Sequence, residues 1–141
     1  MRISIGCDHG GYTLKELVVR NLQKKYEVVD HGCYDLESCD YPDFAKKVAN
    51  DVSTKVSDFG ILICTTGIGM SITANKFKDV RAALVTNLES AHLTRMHNNS
   101  NVICLGAKFT PFEDAMEYID AFLTEEFEGG RHLRRVNKIE D

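Results

Sequence analysis

The feature that most constrains this chain is an alternation that runs from end to end. Short apolar runs, largely β-branched, stand at Arg2–Gly6, Glu27–Asp30, Asp58–Ile63, Arg81–Val85 and Asn101–Leu105, and their length and composition suit strands. Stretches of helical period lie between them. Leu14, Leu17, Val18 and Leu22 recur on one face, as do Phe44, Val48 and Val52. Phe112, Ala115, Met116, Ile119, Phe122 and Leu123 form a third stripe opened by Pro111. Asn87–His97 and the shorter Met70–Lys76 are further helix candidates. Such alternation implies βαβ units with right-handed crossovers, and hence a parallel sheet covered on both faces. We expect an α/β fold: a doubly wound three-layer α/β/α sandwich, Rossmann-like, with a parallel sheet of about five strands. Ligands of such sheets bind beyond the carboxyl ends of the strands, where the winding reverses.

With 141 residues the chain suits a single domain spanning 1–141. No apolar run approaches the roughly 20 residues of a membrane span, and the amino terminus lacks a signal-peptide pattern, so we expect a cytoplasmic protein with no membrane partner. The formal charge of −4 argues against nucleic acid, whose phosphates call for a positive face. That average hides an asymmetry. Between Gly129 and Lys138 stand four basic residues, Arg131, Arg134, Arg135 and Lys138, and no acidic ones, whereas the rest of the chain carries 13 basic against 21 acidic. A short cationic segment on an acidic protein suits a small anion. The five cysteines form no C-x-x-C pair, and no metal-ligand spacing is present, so neither a disulfide framework nor a metal is expected.

Residues just after the strands carry the chemistry. Gly6-Cys7-Asp8-His9-Gly10-Gly11 puts a carboxylate and an imidazole at the ligand edge, with helix capping as the alternative role for Asp8. Cys64-Thr65-Thr66-Gly67-Ile68-Gly69 is a Gly-rich turn whose backbone N–H groups can converge on an anion, in a field that would also favour a Cys64 thiolate. The turn is not a P-loop, because no Gly-x-x-x-x-Gly-Lys-Ser/Thr string exists. It is not a dinucleotide fingerprint, since Ile72 holds the third glycine's place. Nor does it match a cysteine phosphatase loop, because Met70 stands where an arginine is needed. His97 and Asn98 end a predicted helix, where a histidine can also cap the carboxyl end. Arg131 and Arg135, if helical, project from one face and can grip a phosphate.

Taken together, Gly-Cys-Asp-His-Gly-Gly-Tyr, Asp40-Tyr41-Pro42-Asp43, Cys64-x-Thr66-Gly67-Ile68-Gly69, Ala74-Asn75-Lys76, Arg95-x-His97-Asn98-Asn99 and Gly129-Gly130-Arg131-His132-x-x-Arg135 resemble the type B ribose-5-phosphate isomerases, in order and spacing over essentially the whole chain. The resemblance implies an aldose–ketose isomerase for ribose 5-phosphate and ribulose 5-phosphate that needs no cofactor or metal. It implies a homodimer, or a dimer of such dimers, with sites between subunits. In its terms Cys64 moves the proton between C1 and C2, and His97 opens the sugar ring. The amides of Thr65, Thr66, Gly67, Ile68 and Gly69 stabilise the enediolate, and the Thr66 hydroxyl also bonds the sugar. Asp8, His9 and Asn98 contact substrate, and Arg131 and Arg135 hold the phosphate, with His9 and His132 assisting. His97, Asn98 and the basic arm 129–141 reach Cys64 from the neighbouring subunit.

Three positions depart from the family pattern. Thr65 stands where glycine is common, and a positive φ there would strain a β-branched residue. Lys108 replaces an arginine of some members, and Asn99 an aspartate. The nearest rival activity is isomerisation of allose or galactose 6-phosphate. A rival of another class is a non-catalytic flavin- or nucleotide-binding module, which leaves Cys64, His97 and the arginine arm unexplained together.

Overall fold

The computed structural model describes residues 1–141. In chain order the elements are β1 (Arg2–Cys7), α1 (Tyr12–Leu22), β2 (Glu27–Asp30), α2 (Tyr41–Ser53), β3 (Phe59–Cys64), α3 (Ile68–Ala74), β4 (Ala82–Leu84), α4 (Leu88–Asn98), β5 (Val102–Gly106), α5 (Phe112–Thr124) and α6 (Arg131–Glu140). The five strands form one sheet in the order β2-β1-β3-β5-β4, and every pairing is parallel. This is the expected doubly wound α/β/α sandwich. No helix is long and apolar enough to cross a membrane.

The period of two in the strands sorts the core into two layers. Ile3, Ile5, Ile61, Ile63, Ile103 and Leu105 pack with α1 and α5 on one face. Leu62, Cys64, Val102 and Cys104 pack with Ala45, Val48, Ala49 and Val52 of α2 and Met70 and Ala74 of α3 on the other. Each fully buried aliphatic side chain contributes roughly 1.5–3 kcal/mol. The helical stripes read from the sequence are the faces that α2 and α5 bury, although Leu17 of α1 remains 39 % exposed. β1, β3 and β5 each run one residue further than the apolar pattern suggests, and β4 is shorter. As a result Cys7 and Cys64 are the last residues of their strands rather than the first of their loops.

One buried charge fastens this frame. Lys15 is fully buried, with Nζ 2.8 Å from Glu16 Oε1 and 2.8 and 3.1 Å from the two carboxylate oxygens of Asp30. Burial works against its charge, but the hydrogen bonds to Asp30 and Glu16 prevail and hold it above the ordinary lysine range. Asp30 also accepts from the Gly32 amide at 2.8 Å, so one carboxylate joins α1 to the end of β2 and the turn beyond. Asp30→Asn leaves the buried ammonium with Glu16 as its one anion and is expected to cost about 3 kcal/mol in urea denaturation. Lys15→Met should cost clearly less, because Asp30 is partly exposed and can hydrate. Equal losses would contradict this account.

Candidate active site

β1 and β3 are parallel neighbours, with Cys7 opposite Ile63, and the winding reverses between them. Their carboxyl ends therefore deliver the Asp8 loop and the Cys64 loop to one place. The Asp8 amide continues the pairing by donating to the Ile63 carbonyl at 3.3 Å. Asp8 is buried, and its Oδ1 accepts from the amides of Gly10 at 2.9 Å and Gly11 at 3.2 Å. The capping role is thus real: one oxygen of the carboxylate starts the 3-10 turn His9–Gly11 that leads into α1. His9 Nδ1 accepts from the Cys39 amide at 3.2 Å, which assigns the ring proton of the neutral form to Nε2.

Cys64 is buried at 5 % exposure, and its Sγ receives the Gly67 amide at 3.1 Å. An N–H aimed at sulfur inside a tight loop is an arrangement that suits a nucleophilic or basic thiol. The turn that allows it has Gly67 at φ +79°, a region costly for residues with a Cβ; a Cβ there would also lie 2.7 Å from Leu84 Cδ1 and 2.8 Å from the Leu105 carbonyl carbon. Positive φ thus falls on Gly67, and Thr65 is not among the residues that adopt it, so the strain considered for Thr65 does not arise. Thr65 instead fills space: its Oγ1 lies where a Cβ on Gly10 would have to go. The loop is pinned from behind, with the carbonyls of Cys64 and Thr65 accepting from the amides of Ala107 at 2.9 Å and Lys108 at 3.0 Å. Thr66 Oγ1 accepts from the Ile68 amide at 3.3 Å.

Asp8, Cys64, Thr65, Thr66, Ile68 and Gly69 line a cavity of about 440 Å³ together with Tyr41 and Ile72. The last two escape a strand-end reading because they come from the first turn of α2 and the middle of α3. Tyr41 does belong to the Asp40–Asp43 motif, and Gly69 leaves room for its ring.

The remaining candidates lie elsewhere on the chain and do not line that cavity. His97 and Asn98 end α4, which Asn99 closes at φ +47°. Asn99 thereby acquires a local explanation: its Oδ1 accepts from Arg95 Nη1 at 3.1 Å and its carbonyl from Arg81 Nε at 3.0 Å. Arg131 and Arg135 stand exposed on α6, which is helical as the spacing requires, and neither enters an ion pair within the chain. His132 points inward instead. Its ring stacks on His97 with centroids 4.3 Å apart and planes at 10°. Burial and then the neighbouring Arg131 push its pKa below the usual histidine range. The structure therefore groups the proposed residues in two sets on one chain: the Asp8 and Cys64 loops, and the ends of α4 and α6. It also brings His97, Glu128 and His132 within 4.8 Å of one another, a grouping from residues 35 apart that spacing alone does not reveal.

Comparison with known proteins gives this geometry a context. The family model described as Ribose/Galactose Isomerase matches residues 3–139. A putative sugar phosphate isomerase of Rickettsia bellii is 48% identical over 139 residues, covering 98% of this chain and 96% of that one. The ribose-5-phosphate isomerase B structure of Clostridium thermocellum superposes with a TM-score of 0.98 at 48% identity, covering 99% of this chain and 95% of that one. That of Mycoplasma genitalium, with bound ribulose 5-phosphate, gives 0.95 at 45% identity, with coverage of 99% and 93%.

The loop geometry makes a test of its own. Thr65→Gly should be nearly neutral, within about 1 kcal/mol by thermal unfolding, because Thr65 is exposed and its backbone is relaxed. Gly67→Ala should lose about 2 kcal/mol or more through its positive φ and its contacts with Leu84 and Leu105. The opposite ranking would mean that the strained position had been misidentified.

Proposed function

The chain belongs to the ribose/galactose isomerase family, and from that premise we propose that it interconverts D-ribose 5-phosphate and D-ribulose 5-phosphate by ring opening and an enediolate. The observation that carries this reading is the Cys64 thiol, held under the Gly67 amide in a cleft shared with Asp8. A ribulose 5-phosphate complex of a relative 45% identical supports the substrate class.

Moving a proton between C2 and C1 requires a base, a stabilised oxyanion and exclusion of water. Cys64 as thiolate takes the C2 proton of the open-chain aldose, the electron pair passes into a C1–C2 enediolate, and the thiol returns the proton to C1. Negative charge on the enediolate oxygens meets the backbone amides of the Thr65–Gly69 turn, while the Thr66 hydroxyl, Asp8, His9 and Asn98 orient the sugar. Before this chemistry the furanose must open, and His97 supplies the proton that the ring oxygen takes up in that step. Arg131 and Arg135 bind the phosphate, whose binding energy positions the reacting carbons.

His97, Asn98 and the arginines do not share the Cys64 cavity within one chain, so we assign them to the site of a second copy, with 129–141 as an arm of a single domain that serves its neighbour. Exposed apolar residues of α3, β4, α4 and α6 support this assembly. Ile68, Ile72, Leu84, Leu88, Leu133 and Ile139 are all large apolar residues left exposed, and burying such side chains is the usual drive for a two-fold interface.

Three measurements test this. A panel of ribose 5-, allose 6- and galactose 6-phosphates should show turnover concentrated on the pentose; a clear hexose preference would overturn the substrate assignment. Cys64→Ala should lower kcat by roughly a hundred- to ten-thousand-fold with an unchanged circular dichroism spectrum, whereas a lost fold with activity per folded molecule retained would mean the thiol is structural. Inactive Cys64→Ala and His97→Ala proteins, unfolded and refolded together, should regain roughly one quarter of wild-type activity, because each mixed dimer contains one intact site. No recovery would place both residues in the same subunit's site.

A further inference from the structure

We infer that Glu128, to which no role has so far been given, is the positioning residue that aims His97 for ring opening; the inference rests on the reading of His97 given above. Glu128 lies just before the double glycine that leads into α6. Its amide donates to the Met96 carbonyl at 3.1 Å, which fastens this point of the chain to the last turn of α4 independently of its side chain. Its Oε1 then lies 3.4 Å from His97 Nε2 and 3.8 Å from His132 Nε2. His132 Nε2 is buried and has no hydrogen-bond partner, and its ring lies flat against that of His97.

Two rings so nearly parallel point their in-plane lone pairs side by side. They do not converge on one centre as tetrahedral metal ligands must. The common focus of the trio is the carboxylate. Burial and Arg131 disfavour charge on His132, so it serves as a neutral wall that limits tilting of the His97 ring, while Glu128 limits its rotation. The groups facing this pair are Glu128 from the connection and Arg131 and Arg135 from α6. Glu128 is the only anion among them.

The step that needs an aimed imidazole is the opening of the furanose. The C1–O4 bond breaks with its electron pair going to O4, which takes a proton from His97. The anomeric hydroxyl loses its proton to solvent as the C1 carbonyl forms, and the imidazole is reprotonated from solvent, so the proton count is unchanged. Ribulose 5-phosphate has its 5-hydroxyl esterified and stays open-chain, so it bypasses this step.

That difference supplies the test. Turnover of ribose 5-phosphate requires ring opening, while exchange of solvent deuterium into C1 of ribulose 5-phosphate requires Cys64 but no opening. Glu128→Gln keeps the size of the side chain and the backbone bond to Met96. It is expected to lower kcat on ribose 5-phosphate about tenfold, with KM little changed and the exchange rate within about twofold of wild type. Glu128→Asp should restore part of the loss. An equal fall in both reactions would mark Glu128 as structural, and no fall in either would leave it without this role; either result overturns the inference. His97→Ala separates the causes. If it splits the two reactions and Glu128→Gln does not, the inference about Glu128 fails alone; if it does not split them, the reading of His97 falls as well.

Discussion

The parallel pairing of β1 with β3 is the constraint from which the site follows. Asp8 and Cys64 are 56 residues apart in sequence, and nothing local could hold them together. Register places Cys7 against Ile63, and the Asp8 amide bonds to the Ile63 carbonyl. Both chains then leave the sheet together at the point where the winding reverses, so their loops must share the space beyond. The pairing lies in the middle of the sheet, between two packed layers, where close packing resists deformation. A thiol at the last residue of β3 inherits that rigidity. The loop after it adds only a short excursion, closed at Gly67 and tied behind to Ala107 and Lys108.

Much of this was legible in the sequence, for a physical reason. Strands buried on both faces are continuous apolar runs, and helices that cover them show a 3.6-residue stripe, so the alternation and the strand ends could be read directly. Asp8, Cys64 and the Thr65–Gly69 turn were found because the doubly wound fold assigns function to strand ends. The reading lost accuracy where side chains meet across the fold. Which residue of the turn bears the positive φ depends on Leu84 and Leu105 crowding Gly67, and the space Thr65 occupies depends on Gly10. Tyr41 entered the cavity from a helix start, where strand-end reasoning does not look. Glu128 was invisible because its neighbours His97 and Met96 come from another helix.

The two sets of candidate residues differ in kind, and the difference bears on the assembly. The Cys64 set lies at the end of the buried sheet and is held by main-chain bonds. The His97 set lies at the surface, at the ends of α4 and α6 and on the connection before α6, with His97 39% exposed and Glu128 44% exposed. In the proposed assembly these groups reach into another molecule, and a group that does so has to stand out from its own and cannot be fixed by burial on all sides. The stack of His132 against His97 and the carboxylate of Glu128 provide rigidity of another sort, giving direction to a ring without enclosing it.

Charge follows the same division. The chain is acidic on average, and a sugar phosphate approaching an isolated copy would meet net repulsion outside the basic arm. Concentrating Arg131, Arg134, Arg135 and Lys138 on one ten-residue helix creates a local positive field where the phosphate is proposed to bind. Arg131 and Arg135 help keep His132 uncharged, so the arm that is proposed to attract the phosphate also preserves the neutral wall beside His97. The proposed phosphate grip and the neutral wall beside His97 therefore belong to one helix, and a change in either should be felt by the other.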